Sequence, residues 1–154
     1  MWLADPMRVH IATDHAAFEL KEHLVSELTR AGHEVVDHGA AAYDALDDYP
    51  DFCIPCAEAV VVEGTLGIVL GGSGNGEQLA ANRVKGCRAI LAYSPEIAEL
   101  GRQHNDANVI SLGGRFHTLE GAWEIVRTFL DTPFSGDARH QRRIDKMSEY
   151  EKGR

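Results

Sequence analysis

Leu66-Gly67-Ile68-Val69-Leu70, followed directly by Gly71-Gly72-Ser73-Gly74-Asn75-Gly76-Glu77, decides the architecture. An unbroken apolar run of this length is the pattern of a parallel strand buried on both faces, because a strand with one wet face alternates instead. The glycine-rich loop after it opens a helix predicted to run toward Asn82. Strand, tight turn and helix in that order make up half of a β–α–β unit.

The same alternation extends in both directions. Upstream lie a strand at Arg8–Ala12, a helix from about Ala17 to Ala31, a strand at Glu34–His38, a loop at Ala40–Tyr49 and a helix at Asp51–Glu63. Leu20, Leu24, Leu28 and Ala31 recur at helical spacing, and Gly32 supplies the left-handed cap that an L-residue resists. Downstream lie strands at Arg88–Ala92 and Val109–Leu112, helices at Pro95–His104 and Thr118–Leu130, and a last helix within 136–152 after Pro133. The prediction is an α/β protein: a five-stranded parallel sheet covered by helices on both faces, with an extra C-terminal helix. One domain is expected over residues 1–154, with residues 1–6 as a short extension ahead of an alternative start at Met7.

The formal net charge of -9 disfavours nucleic acid or an anionic membrane surface as a partner. The apolar runs are too short for a membrane span. Met1–Pro6 has neither the basic nor the apolar part of a secretion signal, so the cytoplasm is the expected compartment. Three cysteines, Cys53, Cys56 and Cys87, cannot pair completely. Cys53 and Cys56 have C-x-x-C spacing, but they do not follow the first strand as a redox pair would. They also lack a second ligand pair for zinc, so buried helical cysteines are expected.

Ligands of such sheets bind beyond the C-terminal ends of the strands. The glycine loop lies there, and its N–H groups suit an anion. It is not a Walker loop, since Gly76 precedes Glu77 rather than Lys. It is not a dinucleotide fingerprint either, since it follows the third strand. A tight turn alone would explain the glycines, and Glu77 alone could complement the helix dipole. Ser73 and Glu77 together suggest more: an oxyanion site beside a base, as abstraction of a proton α to a carbonyl requires. Asp14-His15 follows strand one, Arg88 begins strand four, Arg115 follows strand five, and His104-Asn105 ends the helix after strand four. His104 can act as acid or base near neutral pH. In Arg139-His140-Gln141-Arg142-Arg143 the first and last arginines share a helix face and, with Arg115, suit a phosphate. Ile144 and Met147 lie on another face and are expected to pack down.

Asp14-His15-Ala16, Asp48-Tyr49-Pro50, Gly71 to Glu77 with Ala80-Ala81-Asn82, His104-Asn105, Gly113-Gly114-Arg115 and Arg139 to Arg143 occur in this order. On these segments the chain, from about Met7 to Tyr150, resembles the ribose/galactose-phosphate isomerase family. The resemblance implies a Rossmann-like α/β/α sandwich and an aldose–ketose isomerisation of a sugar phosphate through an enediolate, without metal or cofactor. Ribose 5-phosphate and ribulose 5-phosphate are the favoured pair. It assigns proton transfer to Glu77 and the enediolate to Ser73 and the amides of Gly74, Asn75 and Gly76, with Gly72 and Asn105 among the substrate-binding residues. Ring opening falls to His104 with nearby Asp14, and phosphate to His15, Arg115, Arg139 and Arg143. It implies a homodimer, or a higher oligomer, with shared sites. Many members carry a cysteine base where Gly71 stands here. Its replacement by Glu77 marks a glutamate-base, actinobacterial-type branch. The alternatives are isomerases of four-carbon erythrulose phosphates or six-carbon allose or galactose phosphates, a flavodoxin-like phosphate-binding module without catalysis, and a metal-assisted hydride shift at Asp14, His15 and His104.

Overall fold

The computed structural model describes residues 5–154, so the first four residues of the expected extension lie outside the described residues. The elements are β1 (Arg8–Thr13), α1 (Phe18–Arg30), β2 (Glu34–Asp37), α2 (Pro50–Glu63), β3 (Leu66–Gly71), α3 (Asn75–Ala81), β4 (Ala89–Leu91), α4 (Pro95–Asn105), β5 (Val109–Gly113), α5 (Leu119–Asp131) and α6 (Ala138–Lys152). The sheet order is β2-β1-β3-β5-β4, parallel throughout. β3 is central and fully covered from Gly67 onward, which is why its sequence is continuously apolar.

Each face of the sheet carries its own core. On one, Leu20, Leu24 and Leu28 of α1 and Trp123, Val126 and Phe129 of α5 pack over Ile11, Ile68 and Ile110. On the other, Cys53, Cys56, Ala57 and Val60 of α2 and Ala80 and Ala81 of α3 cover Ala12, Val69 and Val109. All three cysteines are buried there as free thiols, and burial drives each away from its thiolate, Cys87 to about 12. Among the described residues no helix is long and apolar enough to cross a membrane.

Three details depart from the expected pattern. The helix after β1 starts with a 3-10 turn, His15–Ala17, capped by Asp14, whose carboxylate accepts the Ala16 N–H at 2.9 Å. β4 is shorter than expected because it is an edge strand sealed by a side chain. Asn82 accepts the Ala89 N–H at 2.8 Å and donates to the Ala89 carbonyl at 3.0 Å, imitating a neighbouring strand. The third departure is in α6, where Ile144 is 5% exposed as expected but Met147 is 53% exposed. α6 lies against α4 and the β4 edge, so only a narrow stripe of it finds a partner.

Lys21 of α1 is fully buried, and its ammonium is satisfied by both Asp37 oxygens at 2.9 and 2.7 Å and by the Ala40 carbonyl at 2.7 Å. Three elements converge on it: α1, the end of β2, and the first residue of the 40–49 loop. Replacing Lys21 with Met leaves the Ala40 carbonyl and the inner side of Asp37 without that donor. We expect a loss of about 2 kcal/mol, read as a lower urea midpoint at unchanged slope, given the cost of orphaned partners of a charged group.

Candidate active site

The C-terminal ends of β1, β3 and β5 lie side by side, so the loops that follow them meet above the sheet. Gly113 ends β5 directly against Ser73, and a Cβ there would overlap the Ser73 carbonyl. The two loops are joined by the buried Ser111 hydroxyl, which donates to the Gly74 carbonyl at 2.7 Å, and by the Arg115 N–H, which donates to the Gly72 carbonyl at 3.2 Å. The Arg115 guanidinium lies along Gly72, its Cζ 2.9 Å from where a Cβ would stand.

Glu77 sits in the first turn of α3 and turns its side chain back toward β3. A Cβ on Gly71 would fall inside the Glu77 carboxylate, so the carboxylate occupies the very volume that a side chain at the end of β3 would fill. It is 4% exposed. Burial raises its pKa, the neighbouring Asp14 carboxylate adds to the rise, and the N–H groups of Glu77 itself and of Gly74 pull the other way. A carboxylate held dry and made more basic at a strand end is suited to taking a proton from carbon.

The loop amides are divided among tasks. The Gly74 N–H faces the Glu77 carboxylate, and the Asn75 N–H donates to the Ser73 hydroxyl at 3.2 Å. Gly76 lies under the Tyr49 ring, whose Cζ is 2.5 Å from an ideal Cβ position on that glycine.

His15 stands on the other side of Asp14. Asp47 accepts both the His15 N–H, at 3.0 Å, and the imidazole Nδ1, at 2.7 Å, and Tyr43 meets the ring edge-on at 6.1 Å. The Asp47 hydrogen bond raises the His15 pKa, with Asp14 adding to it, which favours a cationic ring facing the loop mouth. The other Asp47 oxygen is buried with no hydrogen-bond partner among the described residues. One ligand atom each from Asp14, His15 and Asp47 lies within 4.8 Å of the others, a tighter cluster than the sequence suggested.

One chain therefore gathers Asp14, His15, Ser73, Gly72, Gly74, Asn75, Gly76, Glu77 and Arg115. It does not bring His104, Asn105, Arg139 or Arg143 to them, and the expected proximity of His104 to Asp14 fails within one chain. The chain path gives the reason. α4 starts beside the site, where the Tyr93 hydroxyl reaches the Ser73 carbonyl at 3.4 Å, and then runs back along the sheet for its whole length. At 1.5 Å per residue that is about 16 Å. It ends at the N-terminal edge, where Arg88 donates to the carbonyls of Asn105 at 3.0 Å and Asp106 at 2.9 Å. There His104 stacks on His140 of α6, and His104, Asn105, Arg139 and Arg143 all face solvent.

Asp47 and Tyr49 are the site residues that sequence reasoning missed. The run Asp47-Asp48-Tyr49-Pro50 was the available signal, but nothing in it says that the first Asp points inward, at 9% side-chain exposure, while Asp48 points out.

Comparison with known proteins places this geometry. The Ribose/Galactose Isomerase family model matches residues 9–147. Ribose-5-phosphate isomerase B of Mycolicibacterium paratuberculosis is 54% identical over 147 residues, 95% of this chain and 92% of that protein. The crystal structure of ribose-5-phosphate isomerase B from Mycoplasma genitalium with bound ribulose 5-phosphate superposes with a TM-score of 0.91 at 44% identity, over 95% of this chain and 97% of that one. The Clostridium thermocellum ribose-5-phosphate isomerase B structure also gives 0.91, at 40% identity, over 96% and 99%.

If Asp47 sets the charge of His15, Asp47→Asn lowers the His15 pKa toward that of a free imidazole while the fold persists. An NMR titration of the histidine rings checks this, and an unmoved His15 curve would refute it.

Proposed function

The chain belongs to the ribose/galactose isomerase family, and we infer from this that it interconverts ribose 5-phosphate and ribulose 5-phosphate, with Glu77 as the base. The observation that carries the role of Glu77 is its buried carboxylate filling the space above Gly71, beside Ser73 and Asp14. The volume that a side chain at the end of β3 would fill is taken here by a carboxylate from one turn into α3.

The chemistry runs in two stages. Ribose 5-phosphate exists mainly as a furanose and must first open to its aldehyde, which needs a proton moved from the anomeric hydroxyl to the ring oxygen. Glu77 then takes the proton from C2 and returns it to C1, while the O2 hydroxyl proton passes to O1, so that C1 becomes an alcohol and C2 the ketone. The Ser73 hydroxyl and the neighbouring amides hold O1 and O2 while negative charge spreads over the enediolate. His15 and Arg115 bind the phosphate end. The reaction moves protons only and asks for no metal or cofactor.

Ring opening finds Asp14 but not His104 within one chain, because His104 lies at the far edge of the sheet with Arg139 and Arg143. A two-fold dimer supplies both groups at once. Each copy lends its His104, Asn105, Arg139 and Arg143 to the other's glycine loop, and the contact is isologous. Residues 1–154 form one isomerase domain acting in the cytoplasm, where charged sugar phosphates are retained.

The Asp14, His15 and Asp47 cluster favours one rival, a metal-assisted hydride shift. Isomerisation in D2O separates the two: proton transfer carries solvent deuterium into the product's C1 or C2, and a hydride shift carries none.

Glu77→Gln, which keeps the shape but cannot accept the proton, should still bind ribulose 5-phosphate and lose about 1,000-fold or more in kcat. Full activity would remove Glu77 from the mechanism. Because its pKa is raised, Glu77 takes up its proton at higher pH than a free glutamate. The acid limb of kcat/KM should therefore lie above the ordinary carboxylate range. Shared sites are checked by refolding Glu77→Gln and His104→Ala chains together. Random pairing makes half the dimers hybrids with one intact site each, so about a quarter of wild-type activity returns. If nothing returns, each chain uses its own His104.

A further inference from the structure

His140 sits between Arg139 and Arg143, the two arginines of the α6 motif that share a face, and the reading above gives it no task. It is 8% exposed, one of the few buried polar residues of the chain, although its helix neighbours on both sides face solvent. Its ring lies under that of His104, centroids 4.2 Å apart and planes 19° from parallel. The pair joins α4 to α6, with His104 outermost. Around it stand Asp137, Arg139 and Arg143 of α6. Asn105, next to His104, is held through its carbonyl by Arg88, just ahead of β4.

We propose that His140 is the positioning residue for ring opening, a buried imidazole platform that fixes the plane of His104 as it is presented to the neighbouring copy's site. This rests on the assignment of His104 to ring opening.

The physical case has three parts. An exposed histidine at the last turn of a helix has free side-chain rotation, and an acid–base group must be held to a narrow range of angles to be useful. A flat ring stacked beneath it removes most of those orientations while leaving both ring nitrogens of His104 at the edge, available to substrate. A neutral ring face also favours a positive ring above it, whereas two stacked cations repel. Burial, and after it the nearby His104, lowers the pKa of His140, which favours a neutral ring beneath His104. The same helix turn that carries the platform carries Arg139 and Arg143, so ring opening and phosphate capture are delivered as one rigid piece.

Ring opening can be separated experimentally from proton transfer at carbon. The O5 of ribulose 5-phosphate is esterified, so this sugar has no hydroxyl placed to close a ring on C2 and stays open. Exchange of its C1 hydrogen with D2O needs Glu77 but no ring chemistry. We expect His140→Ala and His140→Leu to lower net isomerisation of ribose 5-phosphate by about 10-fold or more while C1 exchange in ribulose 5-phosphate stays within about two-fold, the gap expected for losing acid–base assistance alone. His140→Phe, which restores a flat ring without a titrating group, should recover most of the loss. That recovery also keeps the test sound if the alanine variant folds poorly. Unchanged isomerisation in the leucine variant, or exchange falling in step with isomerisation, overturns the platform role. Full isomerisation by His104→Ala would overturn the ring-opening assignment, and the platform with it. Loss in His104→Ala with none in the His140 variants overturns the platform alone.

Discussion

The structure turns on the closeness of two chain segments above the sheet, where the ends of β3 and β5 pass without side chains between them. Gly113 lets the glycine loop lie directly on the end of β5. Gly71 leaves a pocket that a carboxylate from the next helix fills. The hydrogen bonds of Ser111 to Gly74 and of Arg115 to Gly72 then fasten one loop to the other. A methyl group at either glycine would push the loop away from the sheet and the Glu77 carboxylate away from the end of β3. Small size at two strand ends is therefore what lets one turn of α3 reach back over the sheet.

Support for that arrangement comes from the opposite flank. Lys21 anchors the start of the 40–49 loop from inside the protein, and Asp47 near the loop's end holds His15. A loop of mostly exposed residues is thereby fixed at both ends, once by a buried ammonium on the Ala40 carbonyl and once by the largely covered Asp47 carboxylate. It holds the His15 ring, whose pKa the Asp47 hydrogen bond raises, with little freedom to move, which would lower the ordering cost of the proposed phosphate contact.

The sheet was readable because it is buried. β3 is apolar throughout, α1 repeats leucine at helical spacing, and Gly32 stops α1 as expected, with a positive φ of 95°. The glycine loop and Glu77 were readable because their residue types are too costly or too peculiar for a plain turn. What escaped was direction. Sequence cannot tell Asp47 from Asp48, since the choice depends on how the loop closes over His15. It cannot show that Glu77 fills the space above Gly71, since that depends on the turn of α3 against β3. Nor could it place His104. The residue belongs to the set by type, but a helix running back along the sheet carries it to the far edge of its own chain. Met147 failed for a related reason: an amphipathic stripe says that a helix packs, not how wide its partner is.

A carboxylate rather than a thiol as the proposed base also changes what the protein can survive. A thiol tuned to act as a base at neutral pH is by the same tuning a target for peroxide and for disulfide formation, since both attack the thiolate. Here the thiols are all interior, and burial holds them in their unreactive protonated form, while Glu77, the proposed base, is a carboxylate with no comparable oxidation chemistry. With Glu77 in that role, turnover would be uncoupled from the redox state of the surrounding medium.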